Sequence, residues 1–308
     1  HVFAGIVFEF IRRSSHASRE PGILNGQWKM RILKISYTKL VTSALMALYC
    51  LSSIIALFWV VYTSFKTNSE FFSSTWALPA EFRWSNYTYA WANAEIGSYF
   101  FNTIYITVLS TLGTLLIAAM AAYVLARVVF PFRQFVFYVF AAAMMVPPML
   151  YLFPLFVQMR FMQLTNSHFG LIILYVATGL PFAIFVLTGF FKTLPTEMEE
   201  AALIDGASSF KTFWIIMLPL SKPGLITVSI FSFINCWNEF FWSLILLRTG
   251  KLYTLARGLQ TLFWNMSTEA RWTELFAGLV IVMMPVMIIF VLLQSRITEG
   301  LTVGAVKG

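Results

Sequence analysis

Six long segments of the chain contain almost no charged residue. Shorter polar stretches separate them, and we place the segments at roughly 40–64, 100–126, 135–158, 169–190, 224–247 and 275–294. Each is about as long as the ~20 apolar residues that a helix needs to cross the hydrocarbon core of a bilayer. Strands of a membrane barrel would instead alternate apolar and polar residues over ~10 positions, and these segments do not. The pattern therefore predicts an all-α integral membrane protein with six transmembrane helices.

The composition excludes several other classes of protein. Hydrophobic residues make up 59% of the 308 residues and charged residues 11%. Soluble domains have roughly 45–50% apolar and ~25% charged residues. So much apolar surface cannot be hidden inside one soluble core of this size. An ordinary soluble enzyme, a disordered chain and a collagen-like chain are therefore excluded.

The distribution of Lys and Arg predicts the orientation in the membrane. With six spans both ends lie on one side, and the segments on that side carry 14 of the 21 basic residues, against 7 on the other. Basic residues stay cytoplasmic, so we expect both termini and the 191–222 loop in the cytoplasm. This bias and anionic lipid headgroups explain the net charge of +8 without any nucleic-acid partner. The expected domains are a cytoplasmic N-terminal arm (1–39), a transmembrane domain (40–295) and a cytoplasmic C-terminal tail (296–308).

The residues that usually carry chemistry are scattered. Cys50 and Cys236 lie inside predicted spans and are expected to be small buried hydrophobic residues. The three histidines lie far apart along the chain, and neither common type of Gly-rich phosphate loop is present. We therefore expect no catalytic residue, no metal site and no cofactor bound by this chain, which would not be an enzyme.

The most informative segment is the 191–222 loop. Pro195 precedes three glutamates in what reads as the first turn of a helix, and Gly206 is a natural stop for that helix. A second stretch, 208–217, has one apolar face, made by Phe210, Phe213, Trp214 and Met217. The loop is too polar to span a membrane. It therefore predicts a helix–Gly–helix element at the inner membrane surface.

The spacing of residues in this loop resembles a known motif. Glu200-Ala201-Ala202, then Gly206 after three residues, then Ile216-x-Leu218-Pro219 after nine more, is similar to the EAA loop of bacterial ABC importer permeases. Further segments agree: Asn102-Thr103, Ala122-Tyr123-x-Leu125-Ala126-Arg127, Leu180-Pro181-Phe182, Trp237-Asn238-Glu239-Phe240 and the Gly300–Gly308 tail. Together they resemble the six-span carbohydrate-uptake permeases of the maltose-transporter (MetI-like) fold, over roughly residues 40–308.

The resemblance implies a function and a set of partners. The chain would be the permease subunit of an ATP-driven importer for an oligosaccharide or related sugar, in the bacterial cytoplasmic (inner) membrane. A second homologous permease, two cytoplasmic ATPases that bind ATP and Mg, and an extracytoplasmic sugar-binding protein would complete it. The ATPases would dock on the loop and drive alternating access. The residues implied in this coupling are Glu200, Ala201, Ala202, Asp205, Gly206, Ile216, Leu218 and Pro219.

Three of these residues have implied roles in the docking. Glu200 would anchor the loop by charge-assisted hydrogen bonds. Ala201 and Ala202 would be buried against the ATPase. A plain amphipathic surface helix is the alternative interpretation of the loop.

Polar residues inside the fifth span are candidates for a translocation path. Asn235 and Glu239 share one helical face at i, i+4, and Trp237 and Asn238 lie beside them. Ionisable groups within spans usually face a protein interior or a cavity, so this face would line the path near its outer mouth. Equally, Glu239 would contact the partner permease or the binding protein.

Other function classes predict features that the sequence lacks. An ion-coupled secondary transporter is the main alternative, and it would show repeats and paired intramembrane carboxylates. A membrane enzyme would show clustered catalytic side chains. Neutral oligosaccharides, glycerol phosphates and acidic oligosaccharides all stay open as substrates. Four basic residues in the last outer loop favour an anionic sugar or contact with the binding protein: Arg248, Lys251, Arg257 and Arg271.

Overall fold

The computed structural model describes the backbone of residues 26–305 and the side chains of Tyr37 and of residues 39–292. Every regular element in that range is a helix. Residues 1–25 of the predicted N-terminal arm and the last three residues of the predicted tail lie outside the described residues. The described chain divides between Phe58 and Trp59 into two compact units, and each is treated by itself below.

The helices are numbered in chain order. They are α1 (Gly26–Thr63), α2 (Asn68–Ser73), α3 (Ser85–Thr88), α4 (Ile96–Arg127), α5 (Arg133–Ala143), α6 (Pro148–Phe161), α7 (His168–Thr193), α8 (Glu197–Ile204), α9 (Ser209–Thr212), α10 (Leu218–Leu220), α11 (Lys222–Asn238), α12 (Phe241–Leu246), α13 (Leu255–Thr268) and α14 (Trp272–Ala305). Short π-helical turns cover Tyr89–Asn93 and Phe213–Met217, and a 3₁₀ turn covers Gly250–Leu252.

Four segments are long and apolar enough to cross a membrane alone: Lys39–Thr63, Ile96–Arg127, His168–Thr193 and Trp272–Leu292. They match the predicted first, second, fourth and sixth spans. In α1, the residues from 39 to 58 are exposed, as expected of a helix that faces lipid or another subunit.

The third predicted span consists of two helices rather than one continuous helix. It is broken into α5 and α6, which meet at 102°. Two consecutive prolines, Pro147 and Pro148, lie at the break. A proline has no N–H to donate and its ring clashes with the preceding turn, so the helix ends there and restarts. Proline alone does not stop every helix of this protein, because α7 continues through Pro181.

The fifth predicted span is likewise not one helix. It begins at Lys222 rather than 224, and α11 ends at Asn238. Glu239 and Phe240 form a break, and α12 follows. A carboxylate at this break accepts hydrogen bonds from the first turn of α12, as described below.

The core of the larger unit is formed where α4 and α7 lie against each other. Toward their C-terminal ends, small residues of α4, including Ala118 and Ala122, face Ala183 and Leu187 of α7. Small side chains let two helix backbones approach closely, which favours van der Waals packing where lipid gives no hydrophobic driving force. We call this cluster the coupling-end core, because Phe213 and Met217 of the 191–222 loop complete it.

At the other end of α4, hydrogen bonds between distant segments of the chain hold the structure together. A helix of 32 residues is about 48 Å long, so Ile96 and Arg127 lie at opposite ends of the bundle. Hydrogen bonds link the chain segments 64–103, 166–168 and 246–274 to one another at the Ile96 end, and we call this the distal end. For example, Asn102 Nδ2 donates to the carbonyls of Lys251 at 2.9 Å and Tyr253 at 3.0 Å.

Lys66 is a buried cation at the distal end. Its Nζ donates to the carbonyl oxygens of Ser74 at 3.1 Å and Thr75 at 2.9 Å. Burial lowers the pKa of the Lys66 ammonium, and the nearby Glu70 carboxylate partly offsets that shift. The segment after α1 is therefore fixed by a charged side chain whose partners are backbone carbonyls.

Candidate functional site

The 191–222 loop forms the predicted helix–Gly–helix element. The first helix, α8, ends at Ile204, and the chain turns at Gly206, whose φ is 76°. The Ala207 N–H donates to Ala202 O at 2.9 Å and the Gly206 N–H to Leu203 O at 3.0 Å. This pair of bonds is a Schellman motif, which requires a left-handed residue and therefore favours glycine.

The side of α8 that a partner could reach differs from the expectation. Glu200 and Ala201 are exposed, and so is Asp205, but Ala202 is already buried within the chain itself. The exposed apolar side chains are Met198, Leu203 and Ile204 on α8 and Phe210 on the second helix of the loop. Ile204 is 87% exposed. The surface open to a partner is therefore an apolar patch edged by carboxylates, with Ala202 behind it.

The second helix of the loop runs from Ser209 to Leu220 and contains the π-helical turn Phe213–Met217. Phe213 and Met217 are buried in the coupling-end core. Ile216 and Leu218 pack partly against the same core, and Pro219 is exposed. The loop is therefore part of the packed bundle, so its movement requires the neighbouring spans to move or repack.

The predicted apolar face of this second helix is only partly buried. Phe213 and Met217 face the core, and Trp214 is half-buried. Phe210, in the first turn, is 71% exposed and lies beyond the packed cluster. The helix therefore presents one aromatic ring outward, next to the exposed patch of α8.

An ion pair that the sequence analysis missed joins the loop to the spans. Arg127, the last residue of α4, places its Nε 3.7 Å from Glu199 Oε1 on α8. Its Nη2 also donates to the carbonyl oxygen of Leu194, directly after α7. The two side chains retain 10% and 17% of their exposure. The motif comparison had pointed to Glu200, whereas the neighbouring Glu199 makes the contact within the chain.

A cavity of about 220 Å³, which we call the central cavity, lies between five helices. Its walls come from α4, α6, α7, α11 and α12. The lining residues are Thr114, Pro148, Tyr151, Tyr175, Thr178, Gly179, Phe182, Ser232, Asn235, Cys236, Glu239 and Trp242. A second cavity, of about 440 Å³, shares several of these residues and extends along the break between α5 and α6. The broken third span therefore opens one wall of this space.

The structure separates the four predicted path residues. Asn235 and Glu239 both line the central cavity, as their i, i+4 spacing predicted. Trp237 is 2% exposed, stacks on Phe233 at 5.6 Å, and donates its indole N–H to Val282 O at 3.3 Å. Asn238 is exposed and bonds back to Ile234 O. The cavity therefore brings two of the four together.

The carboxylate of Glu239 is engaged within the chain. Glu239 Oε2 accepts from the Tyr175 hydroxyl at 2.7 Å and from the Ser243 N–H at 3.2 Å. Glu239 Oε1 accepts from the Trp242 N–H at 2.8 Å. The side chain thus caps the start of α12 and ties the break to α7. Sequence reasoning had assigned Glu239 to a path or a partner and did not anticipate a cap.

Aromatic rings beside this carboxylate give the cavity a flat apolar wall. Tyr151 of α6 and Trp242 of α12 stack with centroids 6.2 Å apart and an interplanar angle of 18°. Three residues with hydroxyl groups, Thr114, Thr178 and Ser232, line the same space, and the Thr178 hydroxyl donates to Leu174 O at 2.9 Å. The cavity therefore combines hydrogen-bonding groups with stacked rings.

Comparison with known proteins places this architecture in a family. Residues 115–303 match the family described as the binding-protein-dependent transport system inner membrane component. The chain is 37% identical over 267 residues to a diacetylchitobiose uptake system permease of Streptomyces coelicolor, covering 87% of this chain and 88% of that protein. It is 34% identical to a sulfoquinovosyl glycerol transport system permease of Agrobacterium fabrum, covering 81% and 87%.

A solved structure has the same fold. It is the crystal structure of a bacterial ABC transporter involved in the import of the acidic polysaccharide alginate. The match has a TM-score of 0.72 and 24% identity, and covers 90% of this chain and 99% of that one. The alternative of an ion-coupled secondary transporter gains no support from these comparisons. The chain belongs to the family of inner-membrane components of binding-protein-dependent transport systems, as a permease subunit of an ABC importer.

Proposed function

We propose that this chain conducts an oligosaccharide or related sugar across the inner membrane. ATPases that dock on its 191–222 loop, here called the coupling loop, would drive this transport. The complete importer would contain a second homologous permease, two cytoplasmic ATP-binding subunits and an extracytoplasmic sugar-binding protein. ATP and Mg would be bound by the ATPases, and this chain would bind no cofactor and catalyse no reaction. Both termini and the 191–222 loop would face the cytoplasm.

The observation that carries the coupling role is the position of the loop. Its exposed side presents Glu200, Ala201 and an apolar patch, while its inner side is built into the coupling-end core. A partner held on the outer side would therefore act on α4 and α7 through packed side chains. Asp205 and Gly206 form the turn that orients the two helices, and Ile216, Leu218 and Pro219 lead into α11.

The chemistry of the central cavity supports a sugar as the substrate. Sugar sites combine polar side chains that form hydrogen bonds with the sugar and aromatic rings that cover an apolar face of the sugar. Asn235, Thr178 and Ser232 supply the first, and the Tyr151–Trp242 pair the second. The relatives are named for diacetylchitobiose and sulfoquinovosyl glycerol uptake, which supports a short glycan or glycoside. Trp237 and Asn238, the other two predicted path residues, lie outside the lining of this cavity.

The charges near the path favour an uncharged sugar. Among the residues that line the central cavity, Glu239 is acidic and none is basic. Of the basic residues in the distal loop, Arg271 pairs with Glu269 at 3.2 Å. Arg257 bonds Gln260 and lies over the Tyr253 ring. Two of the four cations that suggested an anionic sugar are therefore engaged within the chain.

The proposal is tested by transport in proteoliposomes. The complete importer is reconstituted with its binding protein, and uptake of labelled sugars is measured with ATP inside the vesicle lumen that represents the cytoplasm. We expect ATP-dependent uptake of a neutral oligosaccharide, with no requirement for a proton or sodium gradient. A panel of neutral, sulfonated, phosphorylated and uronic sugars identifies the substrate class.

Two results would contradict this proposal. Uptake that needs an ion gradient and proceeds without ATP would support a secondary transporter instead. Uptake restricted to anionic sugars would overturn the charge argument while leaving the importer role intact.

A further inference from the structure

We propose that Arg127 is the joint that transmits movement of the coupling helix α8 to the transmembrane spans, with Glu199 as its partner on that helix. The inference rests on the proposed coupling function and assigns it to residues outside the recognised motif. Arg127 and Glu199 are positioning residues, since they lie behind the exposed docking surface.

Arg127 lies where three elements of the structure meet. It is the last residue of α4. Its guanidinium donates to Leu194 O, directly after α7, and faces the Glu199 carboxylate on α8. A guanidinium has five N–H donors in a rigid planar fork, so it can hold two acceptors in a fixed relation. The cation also lies at a helix C-terminus, where the helix dipole stabilises positive charge.

The spans that meet at Arg127 are the two that form the core. Helices α4 and α7 pack together in the coupling-end core and again in a cluster that joins Ile106 to Leu171 and Leu174. A displacement applied at their shared end is therefore carried along the bundle by contiguous packing. Thr114, Tyr175 and Thr178 of the same two helices line the central cavity.

The burial of the pair makes its rupture costly. Arg127 Nε and Glu199 Oε1 are both inaccessible to solvent and have no hydrogen-bond partner at those atoms. They face each other at 3.7 Å, which is longer than the ~2.8 Å of a charge-assisted hydrogen bond. Helix α8 can therefore shift by a fraction of an ångström while the two charges stay paired. Moving Glu199 further would leave a buried charge unpaired, so α4 must follow α8.

Neighbouring charges show why Glu199, and not another acid, has this role. Glu197 and Glu200 lie on the same helix and are exposed. Tyr123, one turn before Arg127, also interacts with the Glu199 carboxylate. The joint therefore pairs the one partly buried acid of the moving helix with the cation that ends α4.

The test measures uptake and ATP hydrolysis together in the reconstituted complete importer. Glu199→Gln removes the ion pair and keeps the size of the side chain. Glu81→Gln is the matched control, because it makes the same change at an exposed glutamate of the distal end, outside the docking surface of α8. Arg127→Glu and the exchanged pair Arg127→Glu with Glu199→Arg complete the set. Co-purification of the ATPases shows that each complex assembles.

We expect Glu199→Gln to hydrolyse ATP while the sugar imported per ATP falls about tenfold, in the usual range for loss of coupling between sites. Glu81→Gln should keep the wild-type ratio. Arg127→Glu should lower the ratio further, and the exchanged pair should restore part of it. A purely structural role would lower uptake and hydrolysis in parallel, with an unchanged ratio.

Two results would overturn the joint: a wild-type ratio for Glu199→Gln, or an exchanged pair no better than Arg127→Glu. If Glu199→Gln does not assemble, Arg127→Lys is measured instead. It keeps the charge but loses the fork, and a wild-type ratio would then contradict the inference. Wild-type complexes that show no ATP-driven uptake would instead refute the proposed function, so the two failures are distinguishable.

Discussion

The two ends of the bundle are held together in different ways. At the distal end, side chains bond across long sequence separations: Asn166 Oδ1 accepts from the N–H groups of Arg248 at 2.9 Å and Thr249 at 3.0 Å, and Thr103 Oγ1 accepts from the Leu255 N–H at 2.7 Å. At the coupling end, α8 is tied to the spans by the contacts of Glu199, and its outer side is exposed and apolar. This difference is what the proposal expects: many cross-segment bonds at the distal end, and at the coupling end an exposed helix that a partner would move.

The strongest prediction concerns packing at the distal end. A Cβ added to Gly258 would lie 2.0 Å from Cδ2 of the buried Tyr99 ring. We expect Gly258→Ala to destabilise the protein by about 3 kcal/mol, since a buried ring has little room to move. Gly250→Ala is the control, because nothing lies within 4 Å of its added Cβ. Thermal unfolding in detergent measures both, and equal transition temperatures would contradict a tightly packed distal end.

A smaller effect is expected midway between the two ends. Tyr175→Phe removes the hydroxyl that donates to Glu239, and a hydrogen bond to a charged group contributes roughly 2 kcal/mol. Tyr151→Phe, in the same cavity, should cost much less, because its ring supplies the contact with Trp242. Thermal unfolding ranks the two variants. An equal cost would show that Glu239 does not depend on α7.

At the coupling end the expected loss of stability is lower still. Gly206→Ala places a side chain at φ 76°, where a left-handed conformation costs about 1 kcal/mol, although nothing lies within 4 Å. Gly189→Ala, within α7 and equally uncrowded, should not destabilise the protein, because alanine favours a helix more than glycine does. Gly206→Ala should clearly lower the amount of sugar imported per ATP while lowering the unfolding temperature only slightly. Gly258→Ala should instead lower the unfolding temperature strongly. A parallel loss of both would argue against a role in coupling.

The smallest effects separate two helix caps. Thr67 and Glu70 form a reciprocal capping box at the distal end, whereas Ser208 accepts one bond of 3.3 Å from the Lys211 N–H. We expect losses of about 1 kcal/mol for Thr67→Ala and about 0.5 kcal/mol for Ser208→Ala. Unfolding measurements at neutral pH test the order, and a reversed order would contradict the comparison.

The capping box also predicts a pH dependence. Hydrogen bonds from the Thr67 and Ala80 N–H groups, led by Thr67, lower the pKa of the Glu70 carboxyl. A carboxyl whose pKa is lower in the folded state stabilises the fold above its unfolded pKa of ~4.3 and loses that contribution as the pH falls further. Glu70→Gln should therefore flatten the acid limb of the stability curve. An unchanged acid limb would remove Glu70 from the account.

The sequence predicted those features that follow from local pattern. Charge-free runs located α4, α7 and α14, and the position of Gly206 predicted the turn in the coupling loop. The i, i+4 spacing of Asn235 and Glu239 also predicted their shared face. Trp237 lies two residues from Asn235, about 200° around a helix, so the same rule places it on the opposite face, where it packs against α14.

The remaining features depend on contacts between distant segments. Pro147 and Pro148 signal a bend, but the 102° angle depends on what packs around the break. Arg127 and Glu199 are 72 positions apart, and three acids at the start of α8 gave no reason to choose the middle one. The cap made by Glu239 needs Tyr175 from another helix, so the isolated glutamate was open to a path or an interface interpretation.

Cysteine cross-linking tests the central claim most directly. In a background with Cys50 and Cys236 replaced by serine, Ala201→Cys on α8 and Glu81→Cys at the distal end are each introduced into the complete importer. We expect a cross-link from position 201 to an ATPase subunit that changes in yield when ATP binds, and none from position 81. Cross-linking of the ATPase from position 81, with none from position 201, would contradict it.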